Sequence, residues 1–227
     1  MADKEAEKKQ AASRAVDEVR DGMLVGLGTG STAEYVVREI AARIARGLRI
    51  TATSTSRATE ALARSLAIPL VAFEAVARVD LTIDGADEVD SGLRAIKGGG
   101  GAMLREKIVA AASDRMVVAV DSSKLVPILG RFPLPVEVLP FAASFAARRL
   151  EELGPGPRRR TTSDGSPFLT DQKAYIFDLP LGAIPDPEGL ARTLERLPGL
   201  IGHGLFLDEI DTVVVGEGEG VRVLRRG

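Results

Sequence analysis

Cysteine is absent from the 227-residue chain, and histidine occurs once. Disulfides and thiol nucleophiles are therefore excluded, and a structural zinc site has too few ligands to draw on. Tryptophan is missing and aromatic residues make up only 4% of the chain, so the core has to be aliphatic. No apolar run approaches the ~20 residues that span a bilayer. The net charge of -2 gives no electrostatic reason to expect nucleic acid or an anionic membrane as partner. Met1 to Gln10 is charged and lacks the apolar centre of a secretion signal, so the expectation is a cytoplasmic protein. What is present is ordinary for a globular chain: 45% hydrophobic and 27% charged residues. The length suits one large domain or two small ones, with enough material for a proper core.

Apolar runs and amphipathic stretches alternate over the first half. Glu5 to Val19 reads as a helix stopped by Asp21-Gly22, and Met23 to Gly26 as a short buried strand. Further strands are expected at Arg49–Thr53, Ile68–Phe73, Val79–Ile83, Leu93–Ile96 and Met116–Val120, with helices at Ala33–Ala45, Arg57–Leu66 and Ala102–Ala112. Such alternation implies parallel βαβ units covered on both faces. The pattern changes at the proline-flanked stretch Phe132 to Pro140. Beyond it lie helices at Phe141–Leu153 and Pro187–Leu197, with strands at Arg158–Thr162, Tyr175–Leu179 and Leu200–Leu207. The predicted architecture is α/β: a Rossmann-like, mostly parallel sheet flanked by helices, carrying a smaller α+β insert of ferredoxin-like type. Residues 1–130 and 207–227 are expected to form the first domain, closed by a hairpin at Thr212–Val215 and Val221–Leu224. Residues 131–206 are expected to form the second. The basic run Arg158-Arg159-Arg160 reads as a solvated strand or an interface edge.

Ligands of open parallel sheets bind beyond the carboxyl ends of the strands. Those ends are polar here: Gly28 to Thr32, Ser54 to Ser56, Asp84 and Asp87, Lys97, and Lys124. Gly28-Thr29-Gly30-Ser31-Thr32 follows a strand and opens a helix, and its amides and hydroxyls suit a phosphate. It lacks the Gly-Lys-Ser/Thr ending of a P-loop and the glycine spacing of a dinucleotide fingerprint, so a phosphorylated small molecule fits better than a nucleotide. The alternative is a plain glycine-rich turn with a hydroxyl capping the helix. Asp84-Gly85-Ala86-Asp87 clusters carboxylates with room for a ligand. Hydrogen bonding and proton exchange with hydroxyls, metal binding, and simple turn or cap formation are the available roles. Four glycines, Gly98 to Gly101, separate Lys97 from the helix of Glu106. This places a cation, an amide-lined loop and a carboxylate around one space. Lys97 is suited to neutralise an oxyanion or to form a Schiff base, and Glu106 to act as a general base. His203, alone between glycines, reads as structural.

Taken in order and spacing, Gly28-Thr29-Gly30-Ser31-Thr32, Asp84-Gly85-Ala86-Asp87-Glu88, Lys97-Gly98-Gly99-Gly100 through Arg105-Glu106-Lys107, Asp121-Ser122-Ser123-Lys124 and Phe132-Pro133-Leu134-Pro135-Val136-Glu137-Val138 resemble the type A ribose-5-phosphate isomerase family. The likeness extends over essentially the whole chain. It implies interconversion of ribose 5-phosphate and ribulose 5-phosphate through a cis-enediol(ate), without metal or cofactor. By resemblance, Glu106 is the base, Lys97 stabilises the charge developing on oxygen, and Asp84 and Asp87 contact substrate hydroxyls and assist ring opening. Thr29, Gly30, Ser31 and Thr32 match the loop that handles substrate and phosphate. Gly85 and Ala86 lie within the acidic substrate-binding motif, and Gly98, Gly99 and Gly100 match a substrate-binding run. Lys124 and Lys8 match basic positions at the site. The resemblance also implies a homo-oligomer, dimer or tetramer, with the insert helping association. Thr170-Asp171-Gln172-Lys173 departs from the family's Asp-Asn-Gly-Asn-like turn. Two other readings remain open on the residues alone: a non-catalytic sugar-phosphate sensor, and another enzyme of like architecture such as an amino-sugar deaminase or a CoA transferase.

Overall fold

The structure, a computed structural model, describes residues 3–226. Its helices are α1 (Lys4–Val16), α2 (Ser31–Ala45), α3 (Arg57–Ser65), α4 (Met103–Ala111), α5 (Ala143–Glu151) and α6 (Pro187–Glu195). Its strands are β1 (Leu24–Leu27), β2 (Thr51–Ser54), β3 (Leu81–Asp84), β4 (Glu88–Val89), β5 (Ala95–Ile96), β6 (Met116–Asp121), β7 (Leu134–Val138), β8 (Arg158–Arg159), β9 (Tyr175–Leu179), β10 (Leu200–His203), β11 (Leu205–Phe206), β12 (Thr212–Glu217) and β13 (Gly220–Arg225). The chain divides into two compact units, Met1–Ala86 with Arg105–Lys124 and Asp208–Gly227, and Asp87–Leu104 with Leu125–Leu207.

The first unit is built on a six-stranded sheet in the order β13-β12-β6-β3-β1-β2, parallel except for the β12–β13 hairpin. Its central strands are buried along their whole length, as β6 shows, because helices cover both faces. Val25, Leu27, Val36, Val37, Ile40, Ile83 and Val117 form an aliphatic core, as the shortage of aromatics requires. From β1 the chain moves outward to β2 and then returns to the other side of β1 as β3. The order therefore reverses between β1 and β3, and such a switch point leaves a crevice at the carboxyl ends of the two strands. The loop at Gly28 and the residue Asp84 stand at those ends. At the outer edge β13 is mostly exposed and carries Arg222 and Arg225, charges that discourage pairing with another strand.

The second unit holds a four-stranded antiparallel sheet ordered β10-β7-β9-β8. With α5 and α6 it follows the chain order β-α-β-β-α-β, the predicted ferredoxin-like arrangement. Val136, Val138, Phe177 and Leu179 pack there with Ala146, Leu150, Ala191 and Leu194. A small sheet, β11-β5-β4, accompanies it.

Three expected strands differ. Ile68–Phe73 makes only a single parallel bridge, Leu70 to Ala52. Pro69 has no N–H to donate, and Phe73–Ala75 coils as a 3-10 turn. Leu93–Ile96, expected as a parallel strand, shrinks to β5 and pairs antiparallel with β4 and β11. Leu93 has φ +58° and its amide is bonded to the Asp90 carbonyl, so a turn consumes half of the apolar run. Leu200–Leu207 breaks at Gly204 into β10 and β11, which serve different sheets. A Cβ at Gly204 would lie 2.3 Å from the Lys97 carbonyl oxygen, so only glycine allows this crossing.

Candidate active site

In the first unit the site is assembled from strand ends. Asp84, the last residue of β3, is fully buried, and its Oδ1 accepts from the amides of Thr29 (2.9 Å) and Gly85 (2.7 Å). The carboxylate lies so close over the preceding loop that a Cβ at Gly28 would sit 2.1 Å from Oδ1. The Thr29 hydroxyl is turned inward, 2.7 Å from Thr55 Oγ1, and donates to Ser56 Oγ at 2.8 Å. Thr59 Oγ1 in turn donates to the Gly28 carbonyl at 2.8 Å. This hydroxyl cluster ties the loop after β1 to the end of β2. Thr29 therefore serves the site by shaping the loop, with both its amide and its hydroxyl engaged inside the protein.

The next residues open α2. Gly30, with φ +111°, takes the capping position, and no side chain caps the helix. The first amides of a helix lack intrahelical partners, and with the helix dipole they attract an anion. Ser31 is exposed at this end and Thr32 is buried behind it, beside Gly85. Glu106, in the first turn of α4, is 3% exposed. Lys124 is half-buried at the end of the 3-10 turn Ser122–Lys124, which follows β6. Asp121 holds that turn through Ser123, and the buried Glu7 of α1 holds it through the Ser122 amide (3.1 Å) and hydroxyl (2.8 Å). Lys8 is directed to Glu5 at 2.7 Å, an ion pair within α1.

The second unit carries Asp87, Lys97 and the glycine run. Lys97 is 2% exposed. Its amide bonds the Gly204 carbonyl at 2.8 Å, and its Nζ lies 5.4 Å from the centre of the Phe206 ring, a cation–π contact. Gly98 and Gly101 close a turn, with the Gly101 amide 2.9 Å from the Gly98 carbonyl and both residues at positive φ. The Gly99 amide donates to Asp87 Oδ2 at 2.7 Å. The structure thus brings Asp84, Gly85 and the Gly28–Thr32 loop together in one unit, and Asp87, Lys97 and Gly98–Gly101 together in the other.

Several contributors escaped the sequence reading. Of the run Arg158-Arg159-Arg160, expected as a solvated strand or an interface edge, only Arg158 and Arg159 are exposed. Arg160 turns inward, pairs with Asp178 and donates to the Gly98 and Gly99 carbonyls. The available signal was the lone carboxylate in the apolar strand Tyr175–Leu179. Glu7 was missed among the charges of α1, although it shares the buried face of Ala11 and Ala15. The departing turn at Thr170 is intact, with Lys173 itself at φ +65° and its amide bonded to the Thr170 carbonyl. Among the described residues no group of three or more acidic or histidine side chains is placed to hold a metal ion, and no helix is long and apolar enough to cross a membrane.

The sequence pattern of the family described as Ribose 5-phosphate isomerase A (phosphoriboisomerase A) matches residues 51–220. Ribose-5-phosphate isomerase A of Sphingopyxis alaskensis is 60% identical over 222 residues, 98% of this chain and 97% of its own length. That of Thermomicrobium roseum is 51% identical over 224 residues, 98% of this chain and 94% of its own. A solved D-ribose-5-phosphate isomerase in complex with phospho-erythronic acid matches with a TM-score of 0.95 at 36% identity, covering 99% of this chain and all of that one. Ribose 5-phosphate isomerase A of Methanocaldococcus jannaschii matches with a TM-score of 0.91 at 40% identity, covering 96% of this chain and 97% of that one.

Proposed function

The chain belongs to the ribose 5-phosphate isomerase A family and interconverts ribose 5-phosphate and ribulose 5-phosphate in the pentose phosphate pathway, and we propose that Glu106 moves the proton in that reaction while Lys97 holds the charge it creates. The conversion is redox-neutral. A base removes the proton from C2 of the open-chain aldose and the carbonyl oxygen at C1 gains negative charge; a proton then passes from the C2 hydroxyl to O1, and the base returns its proton to C1 as the carbonyl re-forms at C2. A well-placed base contributes about 10²–10⁴-fold. A preorganised cation beside the developing oxyanion contributes about 3–4 kcal/mol more.

The observation that carries this reading is the burial of both groups at the positions where the family resemblance puts the base and the cation: Glu106 is 3% exposed, and Lys97, at 2%, is the one fully buried lysine among the described residues. Burying a charge is costly, and ionisable groups held that way are catalytic candidates. Asp84 and Asp87 are oriented by backbone amides, and in this reading they bond the sugar hydroxyls and assist ring opening. The open start of α2 at Gly30, Ser31 and Thr32, with Lys124, takes the phosphate. Thr29, Gly85 and Ala86 shape the first unit's share of the substrate contacts, and Gly98, Gly99 and Gly100 of the second unit bind the sugar. Lys8, paired with Glu5, keeps two further N–H donors and is a second cation for the phosphate. Phospho-erythronic acid, the ligand of one similar isomerase, offers an acid where the substrate has its reacting carbons, and we propose that this chain binds it in the same way.

A phosphorylated pentose is a cytoplasmic metabolite, which supports a cytoplasmic location. The second unit supports self-association as a dimer or tetramer: Phe141 is fully exposed and Phe145 half-exposed there, an apolar surface that water disfavours.

The deciding experiment is Glu106→Gln. Turnover should fall by about 10²–10⁴-fold while phospho-erythronic acid still binds. Wild-type turnover in that variant would remove Glu106 from the role of base.

A further inference from the structure

The glycine turn of the second unit is clamped from behind by a residue remote in sequence. Arg160 Nε and Nη2 donate to the two carboxylate oxygens of Asp178 at 2.9 and 2.5 Å. This fork-to-fork pairing fixes the guanidinium plane. The remaining nitrogen, Nη1, donates to the Gly98 carbonyl at 3.0 Å and the Gly99 carbonyl at 3.1 Å. The Phe168 ring, 5.8 Å from the guanidinium carbon, lies over the same group, and a Cβ at Gly101 would meet that ring at 2.7 Å. Arg160, Asp178, Phe168 and the turn thus form one packed assembly inside the unit.

Peptide geometry turns this clamp into a statement about the other side of the loop. In a trans peptide the C=O and N–H point in opposite directions. With the Gly98 carbonyl on Arg160, the Gly99 amide points away from it, and that amide meets Asp87 Oδ2 at 2.7 Å. With the Gly99 carbonyl also on Arg160, the Gly100 amide is turned outward, where Gly99 and Gly100 are exposed. A cation bonded to a carbonyl also polarises its peptide, which makes the N–H at the opposite end a better donor.

We propose that Arg160 is a positioning residue for the isomerisation. By fixing two successive peptide planes it aims the Gly99 amide at Asp87, setting that carboxylate's orientation, and aims the Gly100 amide at an oxygen of the sugar phosphate. The proposal rests on the reading of Asp87 and the glycine turn as substrate-binding. Lysine cannot replace Arg160, because one ammonium cannot bridge two carbonyls and pair both carboxylate oxygens in a fixed plane.

The test uses the full chain and reads steady-state kinetics with ribose 5-phosphate, binding of phospho-erythronic acid, and thermal unfolding. Arg160→Met and Arg160→Lys should both raise KM and weaken analogue binding by about 10–50-fold, with kcat changed less. Free guanidinium ion should recover part of the affinity of Arg160→Ala and none of that of Asp87→Asn. Asp178→Asn should give a smaller KM increase in the same direction, and it carries the test if the Arg160 variants do not fold. KM within twofold of wild type in Arg160→Met, or in Asp178→Asn where that variant decides, overturns the proposal, as does a lysine variant that behaves like wild type. Asp87→Asn separates the two levels. If it too leaves KM unchanged, the substrate-binding reading of the turn falls; if it raises KM while Arg160→Met does not, only the positioning role falls.

Discussion

Two glycine turns serve this protein, and they are held by opposite means. The turn at Gly28–Gly30 sits where β1 meets α2, and its supports come from adjoining strand ends: the Asp84 carboxylate on the Thr29 amide and the Thr55–Ser56–Thr59 hydroxyls on Thr29 and Gly28. The turn at Gly98–Gly101 is held on its carbonyl side by Arg160 and on its amide side by Asp87. A turn inside a regular βα unit inherits its partners from the sheet. A turn outside one has to import a charged clamp from elsewhere in the chain.

The first arrangement leaves no slack, and the sharpest way to break the comparison is Gly28→Ala. The new methyl would lie 2.1 Å from Asp84 Oδ1 and 2.5 Å from Asp84 Cα, which is backbone and cannot swing aside. We expect a loss of about 3 kcal/mol in stability, since overpacking of this kind forces the main chain to move. Turnover should drop by about 100-fold if Asp84 has the substrate role proposed for it, because its carboxylate is displaced. Urea unfolding and a ribulose 5-phosphate assay measure both. A variant as stable and active as wild type would show that the loop and Asp84 are not in close contact.

The next effect is smaller and depends on pH. Glu7 accepts from the Gly218 amide at 2.9 Å and from Ser122, so one buried carboxylate fastens the Lys124 turn to α1 and to the β12–β13 hairpin. The Gly218 amide, aided by the Ser122 bonds and opposed by burial, holds its pKa below the ordinary 4.5. A depressed native pKa gives stability that is complete above the unfolded value and is lost as pH falls through the native one. Glu7→Gln should cost about 1–2 kcal/mol at pH 7, because its NH₂ faces donors where an oxygen had accepted. The gap between the two proteins should narrow steadily in acid below the ordinary glutamate range. A gap that stays constant from neutral pH into acid would mean that Glu7 is not the ionised clamp of this turn.

The same contrast explains what the sequence made legible. The closeness of the Gly28–Thr29 loop to Asp84 was readable because neighbouring parallel strands end on one edge and the residues after them meet there. The alternation of elements and the closing hairpin followed from the same periodicity. Arg160 was not readable, because nothing local distinguishes it from Arg158 and Arg159; its direction is set by Asp178 on a neighbouring strand. Gly204 was hidden inside an apolar run that looked continuous, and only the crossing of Lys97 requires a glycine there. Leu93 was misread for a similar reason: a left-handed turn residue is invisible when its side chain is apolar and buried. The engagement of the Thr29 hydroxyl by Thr55 and Ser56 was not readable, since their proximity depends on the β1–β2 register.

The smallest effect on stability should come from the counterpart of the first substitution, Gly99→Ala. Here the added methyl would sit 2.5 Å from Asp87 Oδ1, the end of a side chain, at an exposed position whose φ is not left-handed. The carboxylate can rotate away, so the fold should lose no more than about 1 kcal/mol. Rotation breaks its bond to the Gly99 amide, and KM for ribose 5-phosphate should rise about 5–10-fold while kcat stays closer to wild type. Gly28→Ala and Gly99→Ala thus differ in kind: the first damages the fold and the chemistry together, the second only the grip on substrate. If both variants lose stability and KM in the same proportion, the second turn is as rigidly embedded as the first, and the division between a sheet-supported turn and a clamped one does not hold.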